Sequence, residues 1–509
     1  MDVTQILMLI TILVYLAAMV GIGAVLAKQN QTTDDFYLGG RTLGPLVTAM
    51  SAEASDMSSW LLMGLPGVAY LSGTADAAWT AIGLAIGTYV NWLVVAKRLR
   101  NYTHVCGNST TLPLFFSNRY RDNKRILSVI AALLIIIFFV PYTASGFAAC
   151  GKLFANLFGM DYLPAMLISA IVIVAYTTLG GFLAASTTDF VQSIVMTIAI
   201  VVVFGFGISK GGSFSAVMDN AKSMAGYFSL THTHDVATGT ASPYSLLQIF
   251  STLAWGLGYF GMPHVLLRFM AIGDANKLKL SRRVATVWVV ISMAVSVFIG
   301  VIGNAMTKAG VLPTLKDPET IILVVADLIS KHGVLATIIA GLILAGILAA
   351  TMSTADSQLL AASSSASQNI LKEVFMKDMS EKTGMLIARI TVLVIALIGV
   401  FIARNPDSSV FQIVSFAWAG FGASFGPLVL LALFWKRSTF QGALCGMVSG
   451  GVMVFVWKFL IRPMGGALGI YELLPAFLLG LAVNVIVSLL TPAPSREVQD
   501  EFDKVASMK

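Results

Sequence analysis

The sequence predicts an all-α membrane protein with about thirteen transmembrane helices. Of its 509 residues, 57% are hydrophobic and only 11% are charged, whereas a soluble domain is about a quarter charged. Apolar runs of about 20 residues, the length that spans a bilayer, recur along the whole chain. Glycine and proline interrupt two of these runs, which predicts discontinuous helices because both residues destabilise a helix interior.

The spans follow the apolar runs in chain order. They are predicted at 6–27, 44–72, 77–97, 126–150, 162–180, 189–208, 245–270, 284–307, 335–365, 386–404, 409–435, 440–461 and 470–491. The first run is followed by no cleavage pattern and preceded by no basic residue, so we interpret it as an uncleaved helix. We expect residues 1–491 to form one transmembrane domain and 492–509 a short cytoplasmic tail. The segment Pro318–Lys331 is amphipathic enough to form a short surface helix.

Lys and Arg lie mostly in alternate loops, for example in Lys97–Arg100, Arg119–Arg125 and Lys277–Arg283. The positive-inside rule places such loops in the cytoplasm. The charge bias therefore predicts a multi-pass protein of the plasma (inner) membrane, with the N-terminus outside and the C-terminus in the cytoplasm. The net charge of +7 follows from this bias and does not indicate a nucleic-acid partner.

The second span contains the most unusual stretch, Ser51–Tyr70, in which Glu53, Asp56 and Pro66 interrupt an apolar run. An ionised side chain at membrane depth costs about 2.5 kcal/mol or more unless something compensates it. Backbone groups freed by a helix break are tolerated only where they face protein or a cavity. The stretch therefore predicts a mid-membrane site for a small polar solute or ion, and hence transport.

A second break is predicted at Trp255–Pro263, which has three glycines and a proline in nine residues. The breaks fall in the second and seventh spans, so 44–208 and 245–435 would be two halves of five helices each. An odd number of helices inverts one half relative to the other, and inverted repeats with paired broken helices are a transporter architecture. The alternative is close helix packing through small residues.

The ninth span carries a polar cluster in its second part. Ser353, Asp356 and Ser357 share one helix face, and Thr354 lies beside them. Hydroxyl, carbonyl and carboxylate oxygens are the ligands of hard cations, which indicates a sodium site. The alternative is hydroxyls that bond back to their own helix. Asp189 begins the sixth span, where it is either functional or an acid stabilised by the helix dipole.

Five stretches together resemble the sodium/solute symporter family, including its proline-transporting subgroup. They are DDFYLGGRTLGP (34–45), ASDMSSWLLMGLPG (54–67), WGLGYFGMPH (255–264), ILAATMSTADSQLL (347–360) and FAWAGFGASFGP (416–427). The resemblance implies thirteen helices with a five-plus-five inverted repeat, a leucine-transporter-type fold. It also implies Na⁺ as the coupling ion, with no organic cofactor, no enzymatic activity and no obligate protein partner.

The resemblance places the principal sodium site between the second and ninth spans. Its implied ligands are the backbone carbonyls of Ala54, Met57 and Ala350 and the hydroxyls of Ser353 and Thr354. Asp56 matches the family acid that sodium-dependent transport requires, and it would hold or guide the ion.

The resemblance also implies a substrate pocket for L-proline. The residues are Ser58, Ser59, Trp60, Tyr142, Trp255, Tyr259 and Pro263. An aromatic wall suits the pyrrolidine ring, and the substrate ammonium can lie against a ring face. Exposed N–H groups at a broken helix can bind the carboxylate. From the residues alone, plain aromatic packing is the alternative.

The chain departs from the proline subgroup at several positions. Glu53 stands in place of a small residue, Ser59 of Gly, Met262 of Gln and Asp356 of a neutral residue. Some relatives have a second sodium site on the sixth and ninth spans. Here Asp189, Ser353, Asp356 and Ser357 would form it, and the two carboxylates would hold a second cation or share a proton.

Four other functions are alternatives to proline symport. The same symport mechanism could carry betaine, another amino acid, a vitamin carboxylate or a sugar. A channel would need a continuous polar pore, but the polar residues cluster at mid-depth. An enzyme would need a nucleophile with a base or a metal set, and the five histidines and three cysteines are scattered. An ATP-driven pump would need a P-loop, which the sequence lacks.

Overall fold

The computed structural model describes residues 2–28, 32–375, 379–405 and 409–508, and most of them are helical. The α-helices in chain order are α1 Val3–Ala27, α2 Thr33–Leu38, α3 Pro45–Asp56, α4 Leu65–Ser72, α5 Thr74–Val90, α6 Ala96–Val105, α7 Leu112–Arg119, α8 Ile126–Phe158, α9 Tyr162–Lys210, α10 Phe214–Ser223, α11 Leu246–Leu253, α12 Pro263–Ala271, α13 Leu278–Lys308, α14 Ile321–Ser330, α15 Val334–Ser364, α16 Glu381–Ala403, α17 Val410–Phe434, α18 Phe440–Val456, α19 Leu473–Leu490 and α20 Arg496–Ser507. A short antiparallel hairpin pairs β1 (His232–His234) with β2 (Ala241–Pro243).

Ten helices in the described part of the chain are long and apolar enough to cross a membrane. Each of the thirteen predicted spans coincides with helix, but three coincide with shorter apolar helices: Trp60–Ser72, Tyr162–Ala175 and Leu246–Phe260. The all-α membrane class is therefore confirmed, and the number thirteen stays a prediction.

The break in the second predicted span is present. Helix α3 ends at Asp56, Met57 leaves helical geometry (φ −78°, ψ 68°), and a π-helical turn over Trp60–Gly64 leads into α4. Pro66 lies in the first turn of α4, where its missing N–H costs nothing. The polar composition of this stretch thus coincides with an actual interruption of the helix.

The break in the seventh predicted span is also present. A 3₁₀ segment, Ala254–Phe260, separates α11 from α12, which begins at Pro263. Gly258 is required here because a Cβ at this position would overlap the Trp418 ring. The glycines therefore allow the broken helix to lie directly against α17.

The boundary between the fifth and sixth predicted spans is present as well. The spans at 162–180 and 189–208 form one helix, α9, which is broken at Gly181 with φ 63° and ψ −174°. This backbone conformation is open to glycine and strained for other residues. The expected loop between the two spans is therefore a single kink.

Helix α15 lies at the centre of the bundle, packed against α1, α3, α8 and α9. Its residues from Ile343 to Ser364 are all buried. Such a helix is enclosed by protein on all sides. Its polar second half therefore faces other helices, and its side chains bond to α3, α8, α12 and α16.

Two peripheral segments differ from expectation. Pro318–Lys331 does form a helix, α14, but its face with Ile321, Ile322 and Val325 is buried against α15 rather than exposed. The C-terminal tail is a helix, α20, whose Val498 and Phe502 are buried. In both cases the apolar stripe of an amphipathic helix is covered by the bundle itself.

Candidate functional site

The two helix breaks meet at Asp56. The Tyr259 hydroxyl, from the second break, donates a hydrogen bond to Asp56 Oδ2 at 2.5 Å. The backbone carbonyl of Asp56 accepts hydrogen bonds from Trp60 Nε1 (3.1 Å) and the Tyr142 hydroxyl (3.2 Å). A carbonyl that lost its helical partner is thus satisfied by side chains. Asp56 Oδ1 is buried with no hydrogen-bond partner among the described residues.

Four of the five predicted sodium ligands are brought together where α3 crosses α15. The Ser353 hydroxyl lies 2.8 Å from the Ala54 carbonyl oxygen and 3.2 Å from the Ala350 carbonyl oxygen. The Thr354 hydroxyl lies 3.1 Å from the same Ala350 oxygen. The four residues that supply these groups are all buried. The hydroxyl groups therefore link α3, which ends at the first helix break, to α15, which is continuous there.

The fifth predicted ligand, Met57, is the first residue beyond α3. Its N–H still bonds to the Glu53 carbonyl at 2.7 Å, but its ψ of 68° turns its own carbonyl away from the helix axis. A carbonyl released at a break is free to bind an ion. The oxygen donors around Ser353 are neutral and buried, which fits a hard monovalent cation such as sodium.

The seven predicted substrate residues surround the two breaks, and all are buried. They are Ser58, Ser59, Trp60, Tyr142, Trp255, Tyr259 and Pro263. The rings of Trp60 and Trp255 face each other at 6.3 Å between centroids. The Ser59 hydroxyl has no hydrogen-bond partner among the described residues. The set therefore combines an aromatic wall with an unused hydroxyl group.

Trp255 separates these residues from a wide opening. A cavity of about 460 Å³ is lined by Trp255, Phe411 and Tyr471, and an adjoining cavity of about 810 Å³ also reaches Phe411. The Trp255 ring stacks on Tyr471 at 5.1 Å and packs against Phe411 at 5.4 Å. These three rings close the pocket on that side.

A glutamate holds the rim of the larger cavity. Glu319 accepts hydrogen bonds from the Ser409 hydroxyl and from the first two N–H groups of α17, Val410 and Phe411, at 2.9–3.1 Å. Its carboxylate also lies 2.9 Å from Lys152 Nζ. An acid at a helix N-terminus satisfies unpaired N–H groups and the helix dipole. The loop before α14 is thereby fixed to α17 beside Phe411.

The second predicted cation site contains an arginine that the sequence analysis left out. Arg268 is 1% exposed, and its Nη2 lies 3.2 Å from Asp189 Oδ2 and 2.5 Å from the Ser357 hydroxyl. The Ser51 hydroxyl donates to the same Asp189 oxygen at 2.6 Å. Asp189 is thus an ion-pair partner, not an acid held by the helix dipole.

Asp356 lies next to this ion pair. Its Oδ1 accepts a hydrogen bond from Ser357 at 3.1 Å, and its Oδ2 is buried without a partner among the described residues. Two carboxyl groups and one guanidinium leave one negative charge if both acids are ionised. The hypothesis of a second cation stays a prediction, now narrowed to the Asp356 side of the cluster.

Sequence reasoning missed Arg268, Trp92 and Phe411. Arg268 lies inside the predicted span 245–270. A charged residue within a span needs a partner of opposite charge, and this rule could have indicated the ion pair. Trp92 donates a hydrogen bond to Glu53 at 2.8 Å, and nothing in the local sequence indicates this pairing. Phe411 packs against Trp255 and helps to close the pocket. This contact depends on how α17 packs, which no local sequence pattern indicates.

A profile described as the sodium:solute symporter family matches residues 36–450. The chain is 41% identical to a sodium/proline symporter of Escherichia coli, covering 97% of this chain and 95% of that protein. It is 42% identical to the high-affinity proline transporter PutP of Bacillus subtilis, covering 95% and 98%. It is 40% identical to the osmoregulated proline transporter OpuE of the same species, covering 96% of each.

Among solved structures, a substrate-bound, outward-open Na⁺-coupled sialic acid symporter is similar with a TM-score of 0.78 and 18% identity, covering 96% of this chain and 99% of that one. A nucleobase-cation-symport-1 family transporter in a closed conformation matches with a TM-score of 0.54 and 14% identity, covering 92% and 98%. At these identities the likeness establishes a shared fold, the leucine-transporter type.

Proposed function

The chain belongs to the sodium:solute symporter family, and from this premise we propose that it imports L-proline with sodium across the plasma membrane. The solute crosses without chemical change. The N-terminus lies outside and the C-terminus lies in the cytoplasm, as the loop charges predict. The identity of about 40% to proline transporters over nearly the whole chain supports the choice of substrate.

The observation that carries the proposal is the convergence of both helix breaks with the hydroxyl-rich face of α15. Asp56 and Tyr259 join the breaks, and Ser353 joins α3 to α15. Sodium would bind between the hydroxyl oxygens of Ser353 and Thr354 and the carbonyl oxygens of Ala54, Met57 and Ala350, with the hydroxyl hydrogens turned away from the ion. Binding would therefore hold α3 against α15 and fix the break beside the substrate pocket.

Coupling follows from this shared element. Sodium and proline bind the same arrangement of the α3 break, so each raises the affinity for the other, as linkage requires. Rocking of one group of helices against the other then exposes the site to the cytoplasm. The membrane potential adds about 2.3 kcal/mol per charge for each 100 mV.

The pocket chemistry favours a small apolar amino acid. Trp60 and Trp255 supply aromatic faces for a pyrrolidine ring and its ammonium group. The N–H groups at the breaks supply donors for the carboxylate. The second candidate is the same sodium symport with betaine, another amino acid, a vitamin carboxylate or a sugar as the solute.

Uptake of labelled proline into proteoliposomes, with each of these solutes as an unlabelled competitor, separates the candidates. We expect only proline and its close analogues to compete. Trp255→Ala should raise the half-saturating proline concentration by about tenfold, the equivalent of about 1.4 kcal/mol. Trp457→Ala, outside the pocket, is the matched control. Competition by betaine or a sugar at the same concentration would refute the choice of proline.

The acid cluster on α9 and α15 supports a further part of the proposal. Asp356 carries the charge that Arg268 does not offset, so we propose that it binds the second cation of the transport cycle. Asp189, Ser357 and Ser51 then serve to hold Arg268 in place.

A further inference from the structure

The two cavities beside Trp255, of about 810 Å³ and 460 Å³, share one stretch of their lining. Both are lined by Ser72, Asp76, Phe411, Ser415 and Arg462. Phe411 packs against Trp255, which closes the substrate pocket. In the proposed orientation this shared lining faces the outside, so a solute meets it before it reaches Trp255.

Asp76 is the acid of the shared lining. It lies in the first turn of α5, where the helix dipole favours an ionised carboxylate. The Tyr244 hydroxyl donates a hydrogen bond to Asp76 Oδ1 at 2.9 Å, and the Thr252 hydroxyl lies 2.6 Å from Tyr244. None of the ion pairs that the described residues form includes Asp76. Its carboxylate is therefore oriented by a tyrosine but offset by no described cation.

A surplus positive charge lies on the same lining. Lys458 and Arg462 share one acid, because Glu472 Oε1 lies 3.5 Å from Lys458 Nζ and Glu472 Oε2 lies 2.7 Å from Arg462 Nη1. The Glu472 side chain is fully buried, whereas the Arg462 side chain is 42% exposed. Two cations and one acid leave one positive charge, and Arg462 carries it into both cavities.

The other charged groups of the larger cavity balance one another. Lys152 Nζ lies 2.8 Å from Asp317 Oδ2 and 2.9 Å from Glu319 Oε2. Lys316, the next residue along the lining, supplies a second positive charge to these two acids' side of the cavity. This side is therefore neutral as a whole, and its acids are already engaged.

Asp76 and Arg462 are thus oppositely charged groups of one lining, and no ion pair joins them in the described part of the chain. The nearby Asp235 carboxylate accepts hydrogen bonds from N–H groups of its own turn. A simple anion or cation would neutralise only one of the two charges. A ligand that carries both an ammonium and a carboxylate would neutralise both.

We propose that the shared lining is an outer binding site for a zwitterionic amino acid. The ligand carboxylate binds Arg462, since guanidinium–carboxylate pairs are strong and directional, its ammonium binds Asp76, and its apolar part lies against Phe411. Tyr244 and Glu472 position the two charged side chains. The choice of proline as the ligand rests on the proposed function. The site would then raise the local concentration of proline at Trp255, as charged clefts do for their ligands.

Cysteine protection tests occupancy of this site without any transport. Ser72 lines both cavities, and among the described residues its hydroxyl bonds only to the Val68 carbonyl of its own helix. Cys106 and Cys150 are buried and Cys445 is exposed, so the probe is Ser72→Cys combined with Cys445→Ser. The measurement is the rate at which a neutral methanethiosulfonate reagent modifies the purified protein in sodium-free buffer, with and without proline.

We expect proline to slow this modification several-fold, and Asp76→Asn or Arg462→Gln to abolish the protection. Lys316→Gln, a charge of the larger cavity outside the shared lining, is the matched control and should keep it. Pyrrolidine, which lacks the carboxylate, and tetrahydrofuroate, which lacks the ammonium, should not protect. Equal protection in Asp76→Asn and Lys316→Gln, or by proline and either of these compounds, would overturn the proposal.

Trp60→Ala separates the outer site from the closed pocket, because Trp60 belongs to the pocket and not to the cavities. Protection should persist in this variant, and its loss would mean that proline bound in the pocket alone protects Ser72→Cys, which would overturn the proposal. Wild type that takes up no proline under a sodium gradient would contradict the proposed function instead. Protection by glycine or alanine, two other zwitterionic amino acids, would then still decide the outer site.

Uptake in proteoliposomes measures what the outer site contributes. Asp76→Asn and Arg462→Gln should each raise the half-saturating proline concentration by roughly threefold, as expected for partly exposed charges. The maximal rate should stay unchanged, because the closed pocket is intact. A lower maximal rate with an unchanged half-saturating concentration would assign the two residues to closure of the cavity and contradict the proposal.

Discussion

Two pairs of buried acids lie on α3 and on the helices packed against it. One pair lies beside an arginine, and the other does not. Asp189 forms an ion pair with Arg268, whose guanidinium lies 3.2 Å away, and Asp356 lies beside this pair. Glu53 and Asp56 have no such partner among the described residues and receive only the Trp92 and Tyr259 donors. A buried carboxylate needs a compensating partner. The chain supplies Arg268 for Asp189, whereas Glu53 and Asp56 receive only indole and hydroxyl donors and depend on an ion from solution.

The two pairs are therefore expected to differ in role: the acid paired with Arg268 stabilises the structure, and the acids at the helix breaks take part in transport. A cation that belongs to the chain stays in place through the cycle, so the Arg268 pair acts as a fixed link between α9 and α12. A cation from solution binds and leaves, and its site borders both helix breaks. The region without an arginine is therefore where coupling is expected to occur.

The largest expected effect is on the fixed pair. Arg268→Gln leaves the buried Asp189 without its cation, which should lower the free energy of unfolding by about 3–5 kcal/mol. The apparent melting temperature in detergent measures this loss. Arg283→Gln, an exposed arginine on α13, is the control.

The double variant Arg268→Gln with Asp189→Asn should recover part of the lost stability, because the carboxylate that loses its cation is removed as well. A single variant Arg268→Gln as stable as Arg283→Gln would show that the guanidinium is not the cation of this cluster.

The next effect concerns the exchangeable cation. Ser353→Ala and Thr354→Ala each remove a hydroxyl from the crossing of α3 and α15, so the half-saturating sodium concentration should rise by roughly tenfold or more, about 1.4 kcal/mol. The maximal rate at saturating sodium should change far less. Initial rates of proline uptake at graded sodium concentrations provide the measurement.

The matched control is Ser364→Ala on the same helix, where the hydroxyl bonds, among the described residues, only to the Ala361 carbonyl of its own helix. If sodium activation in Ser353→Ala and Thr354→Ala follows the Ser364→Ala curve, sodium binds elsewhere.

The smallest expected effect is at Asp356. If it binds a second cation, Asp356→Asn should reduce the charge moved per proline by one and lower the sodium Hill coefficient. Simultaneous current and uptake recordings give this ratio. A ratio of one in both proteins would end the second-site hypothesis.

The sequence predicts well the features that local composition determines. Glycine and proline mark both helix breaks, and the hydroxyl cluster on α15 follows from a 3.6-residue period. The motif resemblance placed Ser353 and Ala54 at the same site, although they lie 299 positions apart along the chain.

The remaining features depend on packing between distant segments. Arg268 meets Asp189, and Trp92 meets Glu53, only because α12 and the turn after α5 pack on α3. The boundary between the fifth and sixth spans was expected as a loop, and only the structure shows that a single residue, Gly181, forms it. Helix α14 was expected at the surface, since amphipathicity does not reveal which part of the protein covers the apolar stripe.

The most direct test of the exchangeable cation is proline accumulation in proteoliposomes under an inward sodium gradient, compared with an equal potassium gradient. We predict transient accumulation above equilibrium with sodium alone, and its loss when a sodium ionophore dissipates the gradient. Equal accumulation under both gradients would contradict the account, because the acids of the α3 break would then need no sodium from solution.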